Sequence, residues 1–150
     1  MSGGRMTGRP LNADRPAILT LARTLWGEAR GESVRGKEAV AAVVMNRVRR
    51  ARALGGYWWG MTPVEVCRKA FQFSCWNDGD PNHAKMLAVG ADDPVFRICL
   101  RIARRALAGT LKDPTNGATH YHAKSMTPPW ARNREPSAEI GNHRFYNDVE

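Results

Sequence analysis

Apolar residues recur every three or four positions near the start of the chain. Their positions in this first segment are Ile18, Leu21, Ala22, Leu25 and Ala29. This spacing puts them on one face of a helix. The segment therefore predicts an amphipathic helix that Asp14 caps and Gly31 ends.

A second helix is predicted to begin after Ser33 and to include the stretch KEAVAAVVMNRVRRA. Its apolar residues cover a wide arc, which indicates a central helix packed on several sides. Arg47 projects from within this arc. Two interpretations stay open: a stem that lies along the core while the charge reaches water, or a guanidinium that meets a buried carboxylate.

Helix-start signals mark three further segments. Thr62 before Pro63, with Glu65 completing a capping box, predicts one helix start. A brief helix is predicted over about residues 80–87, and a longer one begins at Asp93 with an apolar stripe and ends at Gly109. The arginines of this last helix lie outside its stripe and form a basic face: Arg97, Arg101, Arg104 and Arg105.

The pattern changes after Gly109. The stretches ATHYHA and HRFYN alternate and predict two short strands, and the proline-rich SMTPPWARNREPS between them predicts a loop. The predicted fold class is thus mainly α, of the α+β kind, with a small irregular or β-containing C-terminal portion. We expect residues 1–12 to form a flexible arm and residues 13–150 a single domain.

The charge narrows the range of partners. Lysine and arginine number 23 against 14 acidic residues, a net charge of +9. A basic surface favours polyanions such as nucleic acid, an anionic membrane or an acidic cell-wall polymer. No recognisable nucleic-acid motif and no apolar run long enough to span a membrane are found in the sequence.

The cysteines Cys67, Cys75 and Cys99 are odd in number and lack metal-ligand spacing. Buried free thiols are the expected state, with one disulfide as the alternative.

Glu28 is the first candidate for chemistry. It is predicted at the C-terminal end of the first helix, where the helix dipole disfavours a negative charge, and it borders apolar side chains and Trp26. A glutamic acid that stays protonated suits general-acid cleavage of a glycosidic bond. An ordinary solvated glutamate is the alternative.

Glu32 follows four residues later and is the candidate for a second carboxylate. Residues four apart on a continuous helix lie about 5–6 Å apart at Cβ, close to the carboxyl spacing of a retaining glycosidase. Gly31 interrupts that continuity. We therefore favour a Glu32 that caps the next helix or binds an arginine.

The histidines raise the question of a metal. His120 and His122 would share one face of a strand and could ligate zinc, with His143, Asp113 or Cys99 approaching only through the fold. No metalloprotease motif accompanies them. We favour a cleft lined by Tyr121, His122 and Trp130 and predict neither metal nor cofactor.

Several stretches together resemble the SleB/CwlJ-type cell wall hydrolase family, and the compact form resembles a branch found in phage and prophage-like gene clusters. They are LARTLWGEARGES, GKEAVAAVVMNRV, VCRKAFQFSCWN, IARRALAG, DPTNGATHYHA and IGNHRFY. The resemblance implies a lysozyme-like catalytic domain of the lytic transglycosylase kind. It also implies cleavage of the β-1,4 bond between N-acetylmuramic acid and N-acetylglucosamine in peptidoglycan.

The resemblance also implies roles for single residues. Glu28 matches the family's catalytic glutamate, the first in its G-E-A-R-G-E element. Gln72, Phe73 and Ser74 match its Q-F-S/T element near the active site. Tyr121 and His122 match an aromatic-polar segment. We expect Glu32, Gln72, Phe73, Ser74, Tyr121, His122 and Trp130 to bind substrate.

The expected mechanism uses Glu28 as general acid and then as base, with the C6 hydroxyl of the muramoyl sugar as nucleophile. Arg30 or Arg47 would meet peptide carboxylates in the cleft. A hydrolase in which Glu32 activates water is one alternative. A non-catalytic basic module that grips cell wall or nucleic acid is another, and a zinc amidase using His120 and His122 is a third.

We expect glycan strands of peptidoglycan as partners, no nucleic acid, no membrane span and a monomer. No secretory signal is visible at the N-terminus. Synthesis in the cytoplasm is expected, with action on the wall, in the periplasm or outside, after release or delivery in a particle.

Overall fold

The computed structural model describes residues 15–149, which form five helices and a three-stranded sheet. The helices are α1 Arg15–Ala29, α2 Val34–Ala53, α3 Pro63–Arg68, α4 His83–Ala88 and α5 Pro94–Ala108. The strands are β1 His120–Ala123, β2 Ala138–Ile140 and β3 His143–Tyr146. Two 3₁₀ turns lie between these elements, at Ser74–Trp76 and Pro129–Ala131. The predicted mainly helical α+β architecture is confirmed.

Helix α1 lies at the centre of the helical core and contacts each of the other four helices. Its predicted apolar face is buried throughout, and Leu21 and Leu25 are fully inaccessible. The expected Asp14 cap and the flexible arm over residues 1–12 lie outside the described residues. The burial of one complete face confirms the helical spacing read from the sequence.

Helix α2 is central, as predicted, because it is buried on several faces. Ser33 caps it by accepting a hydrogen bond from the backbone N–H of Gly36 at 3.1 Å. Val40 and Val44 join the main core with α1, whereas Ala39 and Val43 pack against the sheet residue Phe145. The helix thus joins the helical core to the sheet.

The cap of α3 forms with one difference from the predicted capping box. The Thr62 hydroxyl accepts from the N–H of Glu65 at 3.1 Å. The Glu65 carboxylate accepts from the N–H of Met61 at 2.9 Å rather than from that of Thr62. The Glu65 side chain therefore bonds to Met61, the residue before the N-cap, and not to the N-cap itself.

The brief helix predicted over residues 80–87 begins later than expected. Asp80 accepts hydrogen bonds from the N–H groups of Asn82 and His83, at 2.8 and 3.0 Å. These bonds form a turn, so α4 starts only at His83. Helix α5 begins as predicted, where Asp93 accepts from the N–H of Phe96 at 2.9 Å.

The sheet is antiparallel, with the strand order β1–β3–β2. Both predicted strands form and pair with each other, Tyr121 opposite Phe145. The third strand, β2, was not predicted. It begins directly after the predicted loop, which ends at Ser137, in residues to which the sequence assigns no element. Because β3 is central, β1 is an edge strand, and this exposes one side of it to the cleft described below.

All three cysteines are buried and free, as expected. Within residues 15–149, no helix combines the length and the apolar character that a membrane crossing needs.

Candidate active site

A cleft of about 600 Å³ opens where the loop after α3 faces the edge strand β1. Helix α1 contributes one side chain to it, Glu28, from the last turn. The other lining residues are Arg47, Trp58, Phe71, Gln72, Phe73, Ser74, His120, Tyr121, His122, Ala123, Trp130, His143 and Val149. Among these described lining residues, only Glu28 has an acidic side chain.

Three donors hold the Glu28 carboxylate. The Tyr121 hydroxyl donates to Oε1 at 2.9 Å. The backbone N–H of Cys75 and the hydroxyl of Ser74 donate to Oε2 at 3.2 and 3.5 Å. Donors on both oxygens, from two different elements, fix the plane of the carboxyl group.

The 3₁₀ turn Ser74–Trp76 supplies two of these donors because it packs closely on α1. A Cβ atom at Gly27 would lie 2.6 Å from Cβ of Cys75 and 2.8 Å from its sulfur. The indole N–H of Trp76 donates to the hydroxyl of Thr24 at 2.8 Å and anchors the turn one helical turn earlier. The glycine before Glu28 is thus required for the approach of the turn.

Tyr121 reaches Glu28 from β1. Its ring stacks on Phe145 at 5.5 Å and meets His143 edge-on at 4.9 Å. Burial, together with the charge of Glu28, raises the pKa of Tyr121 well above 10. The phenol therefore stays protonated and remains a hydrogen-bond donor to Glu28.

Arg47 fits neither interpretation made from the sequence. Its guanidinium is buried and donates to the backbone carbonyl of Thr119 at 2.7 Å and to Oε1 of Gln72 at 3.2 Å. It also lies over the ring of Trp59 at 4.8 Å. Burial lowers the pKa of Arg47 to about 10, so it remains charged at neutral pH. It fixes the amide of Gln72 in the cleft wall, and these hydrogen bonds go to groups other than Glu28.

The Q-F-S segment lies in the cleft lining, as the resemblance implies. Gln72 is oriented by Arg47, and Ser74 contacts Glu28. Phe73 is buried with its ring 6.5 Å from that of Tyr121. One short loop therefore provides a polar wall residue, a packing residue and a ligand of the carboxylate.

His122 and Trp130 lie in the same lining, on the other face of β1 from Tyr121. The ring nitrogens of His122 bond to the hydroxyl of Tyr146 at 2.9 Å and to the carbonyl of Ala123 at 2.7 Å. Trp130 packs on His122 at 5.7 Å and on His120 at 5.3 Å. These contacts make a rigid aromatic wall.

His120 also has a protein partner, the hydroxyl of Thr119 at 2.9 Å. Burial, with the neighbouring charges of Arg47 and Arg50, lowers the pKa of His120 to about 4. Over residues 15–149, no group of three or more histidine, cysteine or acidic side chains is placed to hold a metal ion.

The expectation that Glu32 binds substrate is not supported by its position. Its carboxylate lies outside the described cleft lining and accepts from the backbone N–H and the side-chain amide of Asn142, each at 3.0 Å. Burial alone would raise the pKa of Glu32, but the Asn142 hydrogen bonds and the nearby His143 and Lys37 together outweigh it, and the pKa is lowered. Glu32 joins the α1–α2 corner to the β2–β3 turn, neither capping α2 nor pairing with an arginine.

The expectation that Arg30 meets peptide carboxylates in the cleft is also wrong, because its side chain lies elsewhere. Its guanidinium donates to the side chain of Asn82 at 2.8 Å and lies over the ring of Trp26 at 4.3 Å. It is therefore turned toward the loop before α4, outside the described cleft lining.

Several lining residues were not predicted as site residues, among them Trp58, Phe71 and His143. His143 was considered only as a remote metal ligand. The strand pattern contained a signal, because His143 is two residues before Phe145 and shares its face, which is the face of Tyr121. Trp58 and Phe71 lie in loops, where no hydrophobic periodicity predicts the direction of a side chain.

The sequence model of the Cell Wall Hydrolase family matches residues 31–146. Its match includes Glu32 and begins three residues after Glu28. A spore cortex-lytic enzyme of Halalkalibacterium halodurans is 30% identical over 87% of this chain, and one of Bacillus subtilis is 28% identical over 85%. The chain spans about a third of the length of these relatives, 34% and 36% respectively.

Two solved structures resemble the fold. The catalytic domain of the germination-specific lytic transglycosylase SleB from Bacillus anthracis has a TM-score of 0.68 and 26% identity. The similarity covers 93% of this chain and 98% of that domain. The catalytic domain of the Bacillus cereus SleB protein has a TM-score of 0.67, also at 26% identity. The predicted lysozyme-like fold class is confirmed.

Proposed function

Because the chain belongs to the Cell Wall Hydrolase family, we propose that it is an enzyme that degrades peptidoglycan. We propose further that it cleaves the β-1,4 bond between N-acetylmuramic acid and N-acetylglucosamine, as a lytic transglycosylase acting through Glu28. One observation carries the assignment of the residue. Glu28 is the carboxyl group of the described cleft lining, and donors from two elements orient it.

The proposed reaction needs one carboxyl group. Protonated Glu28 gives its proton to the glycosidic oxygen, the bond from that oxygen to C1 of the muramoyl sugar breaks, and the N-acetylglucosamine end leaves with a 4-hydroxyl group. The Glu28 carboxylate then takes the proton of the muramoyl C6 hydroxyl. That oxygen bonds to C1, which gives a 1,6-anhydro end and restores protonated Glu28.

The surrounding residues support this use of Glu28. Tyr121 stays a phenol and keeps one carboxyl oxygen in a fixed direction. The aromatic wall of His122 and Trp130, with the amide of Gln72, offers the mixture of flat apolar surface and polar tips that sugar rings bind. The carboxylate of Glu32, the alternative second catalytic group, already accepts two hydrogen bonds from Asn142.

The domain assignment is part of the proposal. We propose that residues 13–150 act as a single catalytic domain. The described part supports this, because the cleft is assembled from α1, α2, the loop after α3 and β1 together.

The test is a digest of purified peptidoglycan with the wild type and with Glu28→Gln. We expect the wild type to release muropeptides with 1,6-anhydro ends in mass spectrometry. Glu28→Gln should fold normally and release less than about a hundredth as much, because it can neither donate nor accept the proton. The matched control is Glu139→Gln, an exposed carboxylate on β2, which should retain wild-type activity.

Two outcomes would contradict the proposal. A folded Glu28→Gln that clears peptidoglycan at the wild-type rate would remove Glu28 from the chemistry. Reducing ends in place of anhydro ends would make the reaction a hydrolysis.

A further inference from the structure

Two aromatic side chains of the cleft lining are unusually exposed. Phe71 is 84% exposed and Trp58 is 49% exposed, although both rings are large and apolar. Each lines the same cleft as Glu28. Exposed apolar side chains that cluster in a cleft are characteristic of a binding surface.

Trp58 is held in place by its neighbours. The adjacent Trp59 is fully buried and donates its indole N–H to the carbonyl of Arg47 at 2.9 Å. The ring of Trp58 packs on that of Trp59 at 5.4 Å and on that of Tyr57 at 6.2 Å. The exposed indole is therefore a rigid surface.

Phe71 has a backbone conformation that turns its side chain outward. Its φ of +65° lies in the left-handed region, which is an outlier for a bulky residue. The N–H of Gln72 donates to the carbonyl of Lys69 at 3.1 Å and closes the turn around Phe71. The next residues, Gln72 and Phe73, then return to the cleft wall. A strained and exposed ring beside a candidate active site points to function at that position.

The segment that carries Trp58 meets the cleft at the start of β1. Trp59, its neighbour, contacts His120 at 6.0 Å, and His120 begins β1. The next residue, Tyr121, contacts Glu28, and His143 stands opposite Ala123 at the end of the strand. The segment that carries Trp58 therefore meets β1 one residue before Tyr121, the residue that contacts Glu28.

We propose that Trp58 and Phe71 form a stacking platform for a pyranose ring of the glycan strand, one or more sugars away from the scissile bond. This inference rests on the proposed function, since it takes the ligand of the cleft to be a β-1,4-linked amino-sugar chain. The apolar face of such a ring packs on an aromatic face, while its hydroxyl and acetamido groups stay in water. The platform is a binding element and takes no part in proton transfer.

The experiment measures binding without turnover. The probe is the β-1,4-linked tetramer of N-acetylglucosamine, titrated calorimetrically into protein that carries Glu28→Gln. Adding Trp58→Ala or Phe71→Gly should each raise Kd by roughly 3- to 10-fold, the usual range for loss of one aromatic contact. Leu87→Ala is the matched control, because Leu87 is also 49% exposed but lies outside the cleft lining, and its Kd should not change.

The choice of glycine separates binding from folding. Because glycine adopts a positive φ without strain, Phe71→Gly should have a Tm no lower than that of the parent. In the active enzyme, both platform variants should raise KM for soluble peptidoglycan fragments and leave kcat within about twofold, since the platform touches no reacting group.

The outcomes separate this inference from the proposed function. If both platform variants bind the tetramer within twofold of the parent, or if the parent does not bind it, the platform is refuted even when the wild type cleaves peptidoglycan. If the variants lose affinity while Glu28→Gln still cleaves, the platform stands and the role of Glu28 falls.

Discussion

The contact between Glu28 and Tyr121 joins residues 93 positions apart. It forms because α1 ends beside the edge strand β1, and Tyr121 points to the face where that helix ends. The consequence at the scale of the residue is that, beside Ser74 and Cys75 on the other oxygen, Tyr121 helps to set the direction of the carboxyl group. It does so through a single hydroxyl hydrogen bond.

Tyr121→Phe tests this control. The variant keeps the ring that packs on Phe145 and His143 but loses the bond to Glu28. We expect kcat on peptidoglycan to fall roughly 10- to 100-fold, because a misdirected acid transfers its proton poorly. The Tm should change by no more than a few degrees. Tyr57→Phe is the control, and equal activity of Tyr121→Phe and wild type would contradict the role.

His120 predicts a pH dependence of stability. Its pKa is lowered by burial and nearby arginines from 6.5 to about 4, so the folded state binds this proton less readily than the unfolded state. Its contribution to stability is complete above pH 6.5 and is lost as the pH falls toward 4. The Tm, measured at pH steps across this window, should decrease on acidification. His120→Gln should flatten that decrease, and an unchanged profile in the variant would contradict the assignment.

At the scale of elements, the Glu32–Asn142 contact connects parts 110 positions apart. The adjoining Gly141 has a φ of +57°, and a Cβ there would collide with the Glu32 carboxylate. The hairpin turn thus fits closely around the acid. This contact sets the position of β3 relative to α1 and α2, and with it the position of Tyr121.

A double-mutant cycle measures this connection. Glu32→Ala removes two hydrogen bonds and should lower the free energy of unfolding by about 1–3 kcal/mol in urea denaturation. Asn142→Ala, which keeps its backbone N–H, should cost less. The two substitutions together should cost less than the sum of the singles, because each removes the other's partner. Strict additivity would show that the side-chain hydrogen bond between Asn142 and Glu32 contributes nothing.

The helices were predictable because their signals are local. The N-caps Ser33, Thr62 and Asp93 each bond within three residues, so the chain alone determines where these helices begin. Strand β2 was missed because it is three residues long and its partner, β3, decides its conformation. The shift of α4 to His83 has a similar cause, since the preceding turn uses the side chain of Asp80.

The candidate site was predictable in part. Glu28 and Tyr121 were predicted from the residue pattern and again through the resemblance, and Ser74 through the resemblance alone. The structure places the hydroxyl groups of Ser74 and Tyr121 within hydrogen-bond distance of Glu28. The places of Glu32 and Arg30 were mispredicted because their partners, Asn142 and Asn82, are distant in sequence. A pattern of neighbouring residues in the sequence cannot predict contacts between residues that are so far apart along the chain.

At the scale of the whole molecule, the net charge of +9 makes the chain strongly basic. The arginines of α5 predicted to face solvent are exposed: Arg97, Arg101, Arg104 and Arg105. Such a face lies outside the described cleft lining, and we expect it to attract an anionic wall at a distance.

Salt should therefore weaken binding to the wall. We expect the fraction of Glu28→Gln protein that sediments with purified wall to fall as sodium chloride rises from about 20 to 300 mM, since the Debye length shortens across that range. Binding of the uncharged N-acetylglucosamine tetramer should change little over the same range. Salt-independent sedimentation would show that the basic face does not contribute.

The buried cysteines predict a chemical behaviour of the folded protein. Burial raises the pKa of Cys67 to about 12 and that of Cys99 to about 11, and burial with the charge of Glu28 raises the pKa of Cys75 further still. A thiol that stays protonated and enclosed is unreactive. The native protein should show no fast-reacting thiol with a disulfide reagent, and three after denaturation. A fast-reacting thiol in the native state would contradict this.

These cysteines bear on where the protein can work. Peptidoglycan lies outside the cytoplasm, in surroundings where exposed thiols oxidise and structural disulfides are the usual means of stabilisation. This fold contains no disulfide among its three cysteines and exposes no thiol, because the three side chains are buried in the main hydrophobic core. The folded state would therefore be the same in a reducing and in an oxidising compartment, with no disulfide to be made or broken.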